Sequence, residues 1–496
     1  MKVLLINPPS SYESYVPPPG LSYISAVLKR HNHNVFGLDA ASPKVKLSIE
    51  HLEKAVIDFS PDLIGVSLNL YFTRGGYQLA ERLKRLKIPL VAGGPHVKAC
   101  PEEVLNHNFD IALKGEGEES ILEILEYIQG KRGIKQIDGI FYKDKNGVIV
   151  CNQERRLIPD LDSIPFMDRS LFDIKNYTGT AGEYFWHPVF SSRGCPFQCT
   201  FCCVSTRRIR QRSVKNVCDE VEYLQRILKV THIGFMDDIF TANKKWLFSF
   251  LDEMKARHID ISWNCESRVD TLDEEMLYKM KEQGCKGLLI GVESADPETL
   301  RMIKKRNTLE DINRSLGLIH KVGFDMVKLN FIFGFPWEGR QHIINSTRLI
   351  EKYSKRLKII HGIVIPIPYP GTELYETYKD KFGFLDWWLK EKTFGEPLKG
   401  RLPYFQRNTL MFDNHWFDKN FFQYSRGFRN FLKKMLIKNR VLAYKSNYGR
   451  FNTYRILFFS YISLILFKIN PSFENSLFNF VHKAANLLSK EKSGQK

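Results

Sequence analysis

The sequence lacks the marks of a secreted or membrane-spanning protein. The apolar run at residues 456–467 has 12 residues without a charge, whereas about 20 apolar residues are needed to span a bilayer. The first ten residues lead directly into a predicted strand, without a signal-peptide pattern. Apart from one cluster, the nine cysteines are scattered and odd in number, which is not a disulfide framework. We therefore expect a cytoplasmic protein with reduced thiols, and its 496 residues suffice for two or three domains.

Acidic residues are scarce at the end of the chain. Residues 401–496 contain 17 Lys and Arg against four Asp and Glu, so 13 of the 18 net positive charges lie there, together with 21 aromatic residues. We expect this segment to be mainly helical, and three interpretations of it remain open. It is a cap with a solvated basic face, a cap that also contacts an anionic membrane surface, or a nucleic-acid-binding segment. Nucleic acid is disfavoured because the segment contains no recognisable RNA-binding module.

A second cysteine pair is also missing, and this bears on the choice of metal. Cys195, Cys199 and Cys202 have a C-x3-C-x2-C spacing within residues 193–204, RGCPFQCTFCCV. Zinc sites usually combine a C-x2-C pair with a second, distant pair, so a zinc knuckle is disfavoured, as is a chance group of unrelated thiols. Three thiolates on one loop suit a 4Fe-4S cluster whose fourth iron stays open for a substrate. The adjacent Cys203 is expected to point elsewhere, as a thiol of the core.

This loop resembles that of the radical S-adenosylmethionine (SAM) superfamily. Phe201, the aromatic residue just before the third cysteine, matches the same pattern. The resemblance implies that SAM chelates the open iron through its amino and carboxylate groups. It also implies that one electron, supplied by a flavodoxin-like or ferredoxin-like reducing partner, cleaves SAM to a 5′-deoxyadenosyl radical.

Residues 1–130 alternate short β-branched runs with amphipathic helical patterns. The predicted strands are residues 3–7, 33–39, 62–68, 89–94 and 109–113. This alternation predicts a Rossmann-like, doubly wound parallel sheet that binds its ligand beyond the carboxyl ends of the strands. Ser67, Asn69, Gly93 and Gly94 lie at those ends, where glycine lets a ligand approach the backbone closely. His96 is a further candidate ligand there, although a lone histidine at a strand end is more often hydrogen-bonded.

The same layout resembles the cobalamin-binding domain that is fused to some radical SAM enzymes. Ser67, Gly93 and Gly94 match the positions that hold the nucleotide tail of cobalamin in that family, and we include Asn69 among the cofactor contacts. The family's D-x-H-x-x-G motif, whose histidine ligates cobalt, is missing, because residues 7–10 read Asn-Pro-Pro-Ser. The resemblance therefore implies cobalamin without a protein ligand on its lower face. A purely structural Rossmann-like domain is the alternative.

The rest of the chain is predicted to hold a connector and a barrel. Residues 131–186 are expected to pack between the two main domains and to contain a hairpin at Asn146-Gly147. Residues 187–400 repeat a strand–helix pattern, with strands at residues 189–192, 232–236, 261–265, 287–292, 327–334 and 358–365. Six such units predict a partial (β/α)6 barrel of the TIM type, with its active residues at the carboxyl ends of the strands.

Polar residues follow most of the predicted barrel strands. The resemblance implies that Asp237 and Asp238 contact the amino group of SAM, and that Glu293 contacts the ribose. Arg268 is suited to clamp the SAM carboxylate, because a planar guanidinium binds carboxylates in a bidentate way. The turn from Gly334 to Glu338 is similar to the family's turn at the adenine edge. For each of these residues taken singly, there is an alternative to SAM binding. The residue is then a polar group at a strand end whose hydrogen bonds only stabilise the fold.

The combination favours a radical SAM enzyme that methylates an unactivated carbon. A methyl group of SAM is electrophilic and does not react directly with a carbon radical, so cobalamin between the two reactants resolves the mismatch. The alternatives are cyclisation, oxidation or carbon–carbon coupling of a lipid or pigment precursor, and a cobalamin-sensing or redox-sensing protein. A methylthiotransferase acting on tRNA is disfavoured because the N-terminal cysteine triad of that class is missing. The expected substrate is a small or lipid-like molecule. Any contact with a membrane is expected to be peripheral.

Overall fold

The computed structural model describes the chain in two compact units. The described residues are 1–10, 12–14, 16–177, 187–204, 206–357, 359–390, 420–439 and 442. The first unit comprises residues 1–266, 282–285 and 368–397, and the second comprises residues 267–281, 286–367 and 398–496. The apolar run at 456–467, like most of the basic C-terminal segment, lies outside the described residues.

The N-terminal sheet has seven strands in the order β2-β1-β3-β4-β5-β6-β7. They are β1 Lys2–Asn7, β2 Asn34–Asp39, β3 Leu63–Ser67, β4 Leu90–Gly93, β5 Ile111–Leu113, β6 Ile140–Lys143 and β7 Ile149–Cys151. The first five are parallel and alternate with α1 Pro19–Arg30, α2 Ile49–Phe59, α3 Thr73–Leu83, α4 Pro95–Ala99, α5 Pro101–Asn106 and α6 Ser120–Ile128. The doubly wound parallel sheet predicted from the sequence is confirmed.

Strand β1, an interior strand of this sheet, is buried on both faces, as a parallel sheet covered by helices requires. Alternate residues of β1 enter two separate apolar clusters, with Leu4 and Ile6 in one and Val3 and Leu5 in the other. All four side chains are at most 1% exposed. The strand order reverses at β1, which has β2 on one side and β3 on the other, and a ligand crevice is expected at such a switch point.

The hairpin predicted around Asn146-Gly147 is present, but its place differs from the expectation. Strand β6 pairs antiparallel with β5 and with β7, so the hairpin extends the N-terminal sheet. The prediction that it belongs to a connector between two domains was wrong. The physical reason is burial, because Ile140 and Tyr142 enter the same apolar cluster as Val3.

The strands predicted for the partial barrel form two parallel groups of three, one in each unit. The strands of this half of the chain are β8 Pro188–Val189, β9 Ser192–Arg193, β10 Arg210–Gln211, β11 His232–Phe235, β12 Ser262–Arg268, β13 Cys285–Glu293, β14 Met326–Ile332 and β15 Ile359–Val364. In the first unit, β11 pairs in parallel with β8 and β12. In the second unit, β14 pairs in parallel with β13 and β15. The predicted strand at 189–192 is divided, because β9 leaves the barrel strands and pairs antiparallel with β10.

The helices of this half alternate with the strands along the chain, as predicted. They are α7 Val214–Arg226, α8 Lys244–Ala256, α9 Glu274–Glu282, α10 Pro297–Met302, α11 Leu309–Val322, α12 Arg340–Ser354, α13 Glu373–Phe382 and α14 Trp387–Lys390. A helix at residues 426–439, here α15, belongs to the second unit.

Helix α15 packs against its own unit. Leu432 and Leu436 are buried, and the Asn439 side-chain amide donates to the hydroxyl of Thr347 on α12 at 3.1 Å. This packing favours the cap interpretation for residues 420–439. Within the described part of the chain, none of the helices combines the length and the apolar character needed to cross a membrane.

Candidate functional site

The three predicted cluster ligands lie on one loop that begins and ends at the β9–β10 pair. The Cys195 amide donates to the Thr206 carbonyl at 3.0 Å and the Cys202 amide to the Cys199 carbonyl at 3.1 Å, so the loop folds back on itself. Gly194 has a φ of +94°, and a Cβ there would lie 2.4 Å from a backbone oxygen, so the turn requires glycine. None of the three cysteines takes part in a disulfide bond among the described residues, so their sulfur atoms can serve as cluster ligands.

Two other residues of the loop were named from the sequence. Phe201 is half-buried. Cys203 is exposed and lines a cleft, so the expectation of a core thiol was wrong. The reason is that the C-C pair at 202–203 lies in irregular backbone, where no strand or helix periodicity predicts which side a residue occupies.

The first unit contains a cleft of about 530 Å³ at the carboxyl ends of the N-terminal strands. Ser67, Gly93 and Gly94 line it, as predicted for cobalamin contacts. The cluster loop also lines it, through Gly194 and Cys203 among others. One cavity therefore joins the predicted cobalamin positions to the loop that carries the three cysteines.

The two glycines of the cleft have different roles. Gly94 has a φ of +111°, and a Cβ there would lie 2.6 Å from the Leu68 carbonyl oxygen, so the backbone itself requires glycine. Gly93 does not have a positive φ, and a Cβ there would meet no atom within 4 Å. Gly93 therefore leaves open space where a flat ligand can approach the backbone.

Three other polar residues of this region form hydrogen bonds with neighbouring residues and do not line the cleft. Asn69 does not line the cavity, and its side-chain oxygen accepts from the Tyr71 amide at 2.9 Å. Asn7, where the family's cobalt-binding motif would begin, donates to Asp39 at 2.7 Å. His96 is buried, with its Nε2 2.9 Å from the carboxylate of Glu103. The histidine is thus hydrogen-bonded, the more frequent case for a strand-end histidine.

Asp237 is a buried carboxylate, and only one of its two oxygens has a hydrogen-bond partner among the described residues. Its Oδ1 accepts from the hydroxyls of Ser191 at 2.8 Å and Ser192 at 2.5 Å. Its Oδ2 is buried and has no hydrogen-bond partner among the described residues. Burial raises the pKa of Asp237 to about 6. A buried polar atom without a partner is rare, and this one suits the ammonium group of SAM. The neighbouring Asp238 lines the cleft, and burial raises its pKa as well.

Arg268 and Glu293 lie in one polar cluster of the second unit. The Arg268 guanidinium donates to both carboxylate oxygens of Asp270, at 2.9 and 2.8 Å, and to the Lys305 carbonyl. Glu293 has a φ of +67°, at a register shift of β13, and its carboxylate lies 3.1 Å from the Lys305 ammonium. Sequence reasoning missed Lys305, because a lysine after a short helix carries no local signal of burial.

Glu338 closes the turn that was predicted to contact adenine. Its carboxylate accepts from the amides of Gly334 at 2.7 Å and Phe335 at 3.0 Å, and from the hydroxyl of Thr299 at 2.9 Å. Tyr424 donates its hydroxyl to the Gly334 carbonyl, so the segment before α15 also holds this turn. The turn is therefore fixed before any ligand binds. The individual SAM contacts assigned to these residues stay predictions.

A pH-dependent stability is expected from Glu338. Burial raises its pKa to about 7, from a model-compound value of 4.5. The folded protein then binds this proton more tightly than the unfolded chain, so the contribution to stability is complete below pH 4.5 and is lost as the pH rises through 7. Relative to Glu338→Gln, the wild-type free energy of unfolding should fall by up to about 1.4 kcal/mol per pH unit across this range. Urea unfolding at a series of pH values measures it, and parallel curves for the two proteins would contradict it.

Two family models match the chain in the regions just described. The model of the radical SAM superfamily matches residues 189–350, and the model of the B12 binding domain matches residues 10–125. The first match contains the cluster loop and the second contains Ser67, Gly93 and Gly94.

Curated relatives align over most of the chain. An uncharacterized methyltransferase of Pyrococcus horikoshii is 33% identical over 76% of this chain and 83% of its own length. The anaerobic magnesium-protoporphyrin IX monomethyl ester cyclase of Rubrivivax gelatinosus is 25% identical over 78% of this chain and 71% of its own. The cytidylyl-2-hydroxyethylphosphonate methyltransferase of Streptomyces wedmorensis is 28% identical over 68% of this chain and 73% of its own.

Solved structures share the fold. The radical SAM methyltransferase TsrM of Kitasatospora setae, solved with cobalamin and a 4Fe-4S cluster, superposes with a TM-score of 0.63 at 18% identity, over 77% of this chain and 78% of its own. The cobalamin-dependent radical SAM enzyme OxsB, solved with aqua-cobalamin, superposes with a TM-score of 0.63 at 19% identity, over 80% of this chain and 57% of its own. The cysteine loop and the cleft fit the cofactors of the two matched domains. By these domain matches and the relative that is 33% identical, this chain belongs to the radical SAM superfamily, in the group that carries a B12-binding domain, and its cofactors are a 4Fe-4S cluster, SAM and cobalamin.

Proposed function

We propose that this enzyme methylates an unactivated carbon of a small-molecule substrate, with cobalamin as the carrier of the methyl group. The observation that carries the proposal is that one cleft is shared by the two predicted cofactor sites. Gly93 and Gly94 line it, and Gly194 and Cys203 of the cluster loop line it as well. When bound, the cluster supplies the electron that cleaves SAM, and cobalamin supplies a methyl group to a substrate radical. A shared cleft supports this chemistry because the two cofactors must act on one substrate in turn.

The chain's own residues hold and orient the reactants. Cys195, Cys199 and Cys202 bind three irons and leave one open. The unpartnered oxygen of Asp237 accepts the ammonium group of SAM. Arg268 and Glu293 serve the SAM carboxylate and ribose, an assignment that remains part of the proposal.

Product analysis with methyl-deuterated SAM tests this function. The reconstituted enzyme, a chemical reductant and a metabolite extract should yield a product that carries the deuterated methyl group. Each turnover consumes one SAM as methyl donor and one as radical source, so S-adenosylhomocysteine and 5′-deoxyadenosine should accumulate in equal amounts. Formation of 5′-deoxyadenosine without S-adenosylhomocysteine would contradict methylation.

That second outcome would favour cyclisation, oxidation or coupling from the same radical. The relative named as a cyclase shows that a similar chain can carry this kind of activity. Two relatives are named as methyltransferases, and this favours methylation. A flavodoxin-like or ferredoxin-like protein is the proposed electron donor for either reaction.

We also propose peripheral membrane contact and a lipid-like substrate. The support is the composition of residues 401–496, with 17 basic residues and 21 aromatic residues. Each basic residue near an anionic surface contributes on the order of 1 kcal/mol. This attraction is screened by salt, with a Debye length of about 8 Å at physiological ionic strength.

Flotation with liposomes measures this contact. The full chain should float with anionic liposomes at low salt and much less with neutral liposomes. A chain ending at residue 442 keeps α15, which packs on the second unit, but lacks eight of the 17 basic residues, so it should float less than the full chain at the same salt concentration. Failure of the full chain to float with anionic liposomes at low salt would refute membrane contact.

A further inference from the structure

Two carboxylates of the cleft wall bind two arginines of the cluster region. Glu116 and Glu118 follow β5. The Arg193 guanidinium donates to Glu116 at 2.9 Å and to Glu118 at 2.5 Å. The Arg210 guanidinium donates to both oxygens of Glu116, at 2.9 and 2.8 Å. All four residues line the cleft, and their charges cancel within it.

The two arginines stand at the base of the cluster loop. Arg193 on β9 and Arg210 on β10 are direct cross-strand partners, and the three cysteines lie between them in the chain. One carboxylate, that of Glu116, therefore binds both ends of the loop. The Arg193 guanidinium also stacks over the Tyr23 ring, 5.2 Å from its centre.

The pairing is buried, so the geometry is well defined. The exposed side-chain fractions are 12% for Glu116 and 7% for Arg210. Burial would raise the pKa of Glu116, but hydrogen bonds from Arg210 and Arg193 outweigh it and lower the pKa. Removing one partner of a buried ion pair leaves an uncompensated charge, which is strongly unfavourable. The loop base is thus held in one position relative to the turn after β5.

We propose that Glu116 is a positioning residue that holds the cluster loop at a defined distance from cobalamin in the cleft. The proposal rests on the proposed function, since it assumes that both cofactors occupy this cleft. Glu116 touches neither reacting group in this role. It acts through Arg193 and Arg210, which place the loop.

Glu53 offers a matched control in the same unit. It is a buried carboxylate on α2 that accepts from Arg82 at 2.8 Å and from Arg85 at 2.9 and 2.6 Å. It does not line the cleft. Glu53→Gln and Glu116→Gln therefore remove the same charge from the same kind of pairing, at two different places.

Two measurements on the holoenzyme report the position of the loop. Glu116→Gln should keep iron and cobalamin contents but alter the magnetic interaction between the reduced cluster and cob(II)alamin in the EPR spectrum. Hydrogen exchange of the Cys195 amide should accelerate about 10- to 100-fold, the factor expected for loss of one charge-assisted hydrogen bond. Glu53→Gln should leave both measurements at the wild-type values.

Different results would refute the positioning role of Glu116 and the proposed methylation. Wild-type values in both measurements for Glu116→Gln would refute the positioning role. If this variant does not fold, Arg210→Lys removes the two-bond pairing of Arg210 with Glu116 and keeps the charge, and unchanged EPR and exchange in that variant would refute the role equally. A wild-type protein that binds no cobalamin would refute the proposed function, while the exchange of the Cys195 amide would still decide whether Glu116 holds the loop.

Discussion

Replacement of Cys195, Cys199 or Cys202 by alanine is expected to abolish the cluster and the cleavage of SAM together. Each cysteine supplies the only protein ligand of one iron, so two remaining thiolates do not hold the cluster in place. Iron should fall from about four atoms per chain to background, and 5′-deoxyadenosine should no longer form after anaerobic reconstitution and reduction.

Two further variants make this result specific. Cys151→Ala removes an exposed thiol of β7 and should leave both iron content and SAM cleavage unchanged. Cys203→Ala tests the spacing itself, since this cysteine is adjacent to Cys202 and exposed in the cleft. It should keep its iron. Loss of iron in Cys203→Ala, or retained SAM cleavage in any of the three ligand variants, would refute the assigned ligand set.

Cobalamin binding is expected to weaken when the open space at Gly93 is filled. Gly93 lines the cleft, and an added Cβ meets no atom within 4 Å, so Gly93→Leu should fold and project its side chain into the cleft. Overpacking costs about 1–3 kcal/mol, which corresponds to affinity for cobalamin about 5- to 150-fold weaker. Titration with hydroxocobalamin, followed by visible absorption, measures this.

A glycine elsewhere in the chain provides the comparison. Gly317 lies in α11 of the second unit, and an added Cβ there also meets no atom within 4 Å. Gly317→Leu should bind cobalamin as the wild type does. Both variants should assemble the cluster and cleave SAM, because neither change touches the cysteine loop. If Gly93→Leu and the wild type bind cobalamin with equal affinity, the cobalamin site does not lie in this cleft.

Several features of this protein follow from local sequence. The alternation of β-branched runs with helical patterns predicted β1 to β5 within a few residues at each end. The signal is clear in β1 and β3, because a strand buried on both faces needs an unbroken apolar run. The C-x3-C-x2-C spacing identified the cluster loop, since three ligands within eight residues must share one loop. Periodicity and residue spacing are properties of short stretches of chain, so they can be recognised from the sequence without knowledge of the tertiary structure.

Other features depend on residues that are distant in sequence. Glu116 meets Arg193 and Arg210, which lie 77 and 94 residues away, and Lys305 lies against Glu293 across a register shift. The hairpin at 140–151 looked like part of a connector until its burial placed it at the edge of the first sheet. Cys203 was assigned to the core because it is adjacent to Cys202 and was expected to point away from the cluster, but irregular backbone placed it on the surface of the cleft. Spacing thus predicted the cluster loop, the alternation of runs predicted the succession of strands and helices, and the family resemblance implied SAM and cobalamin. The partner of each buried charge was decided by tertiary packing, because a charge is neutralised by whichever group the fold brings beside it.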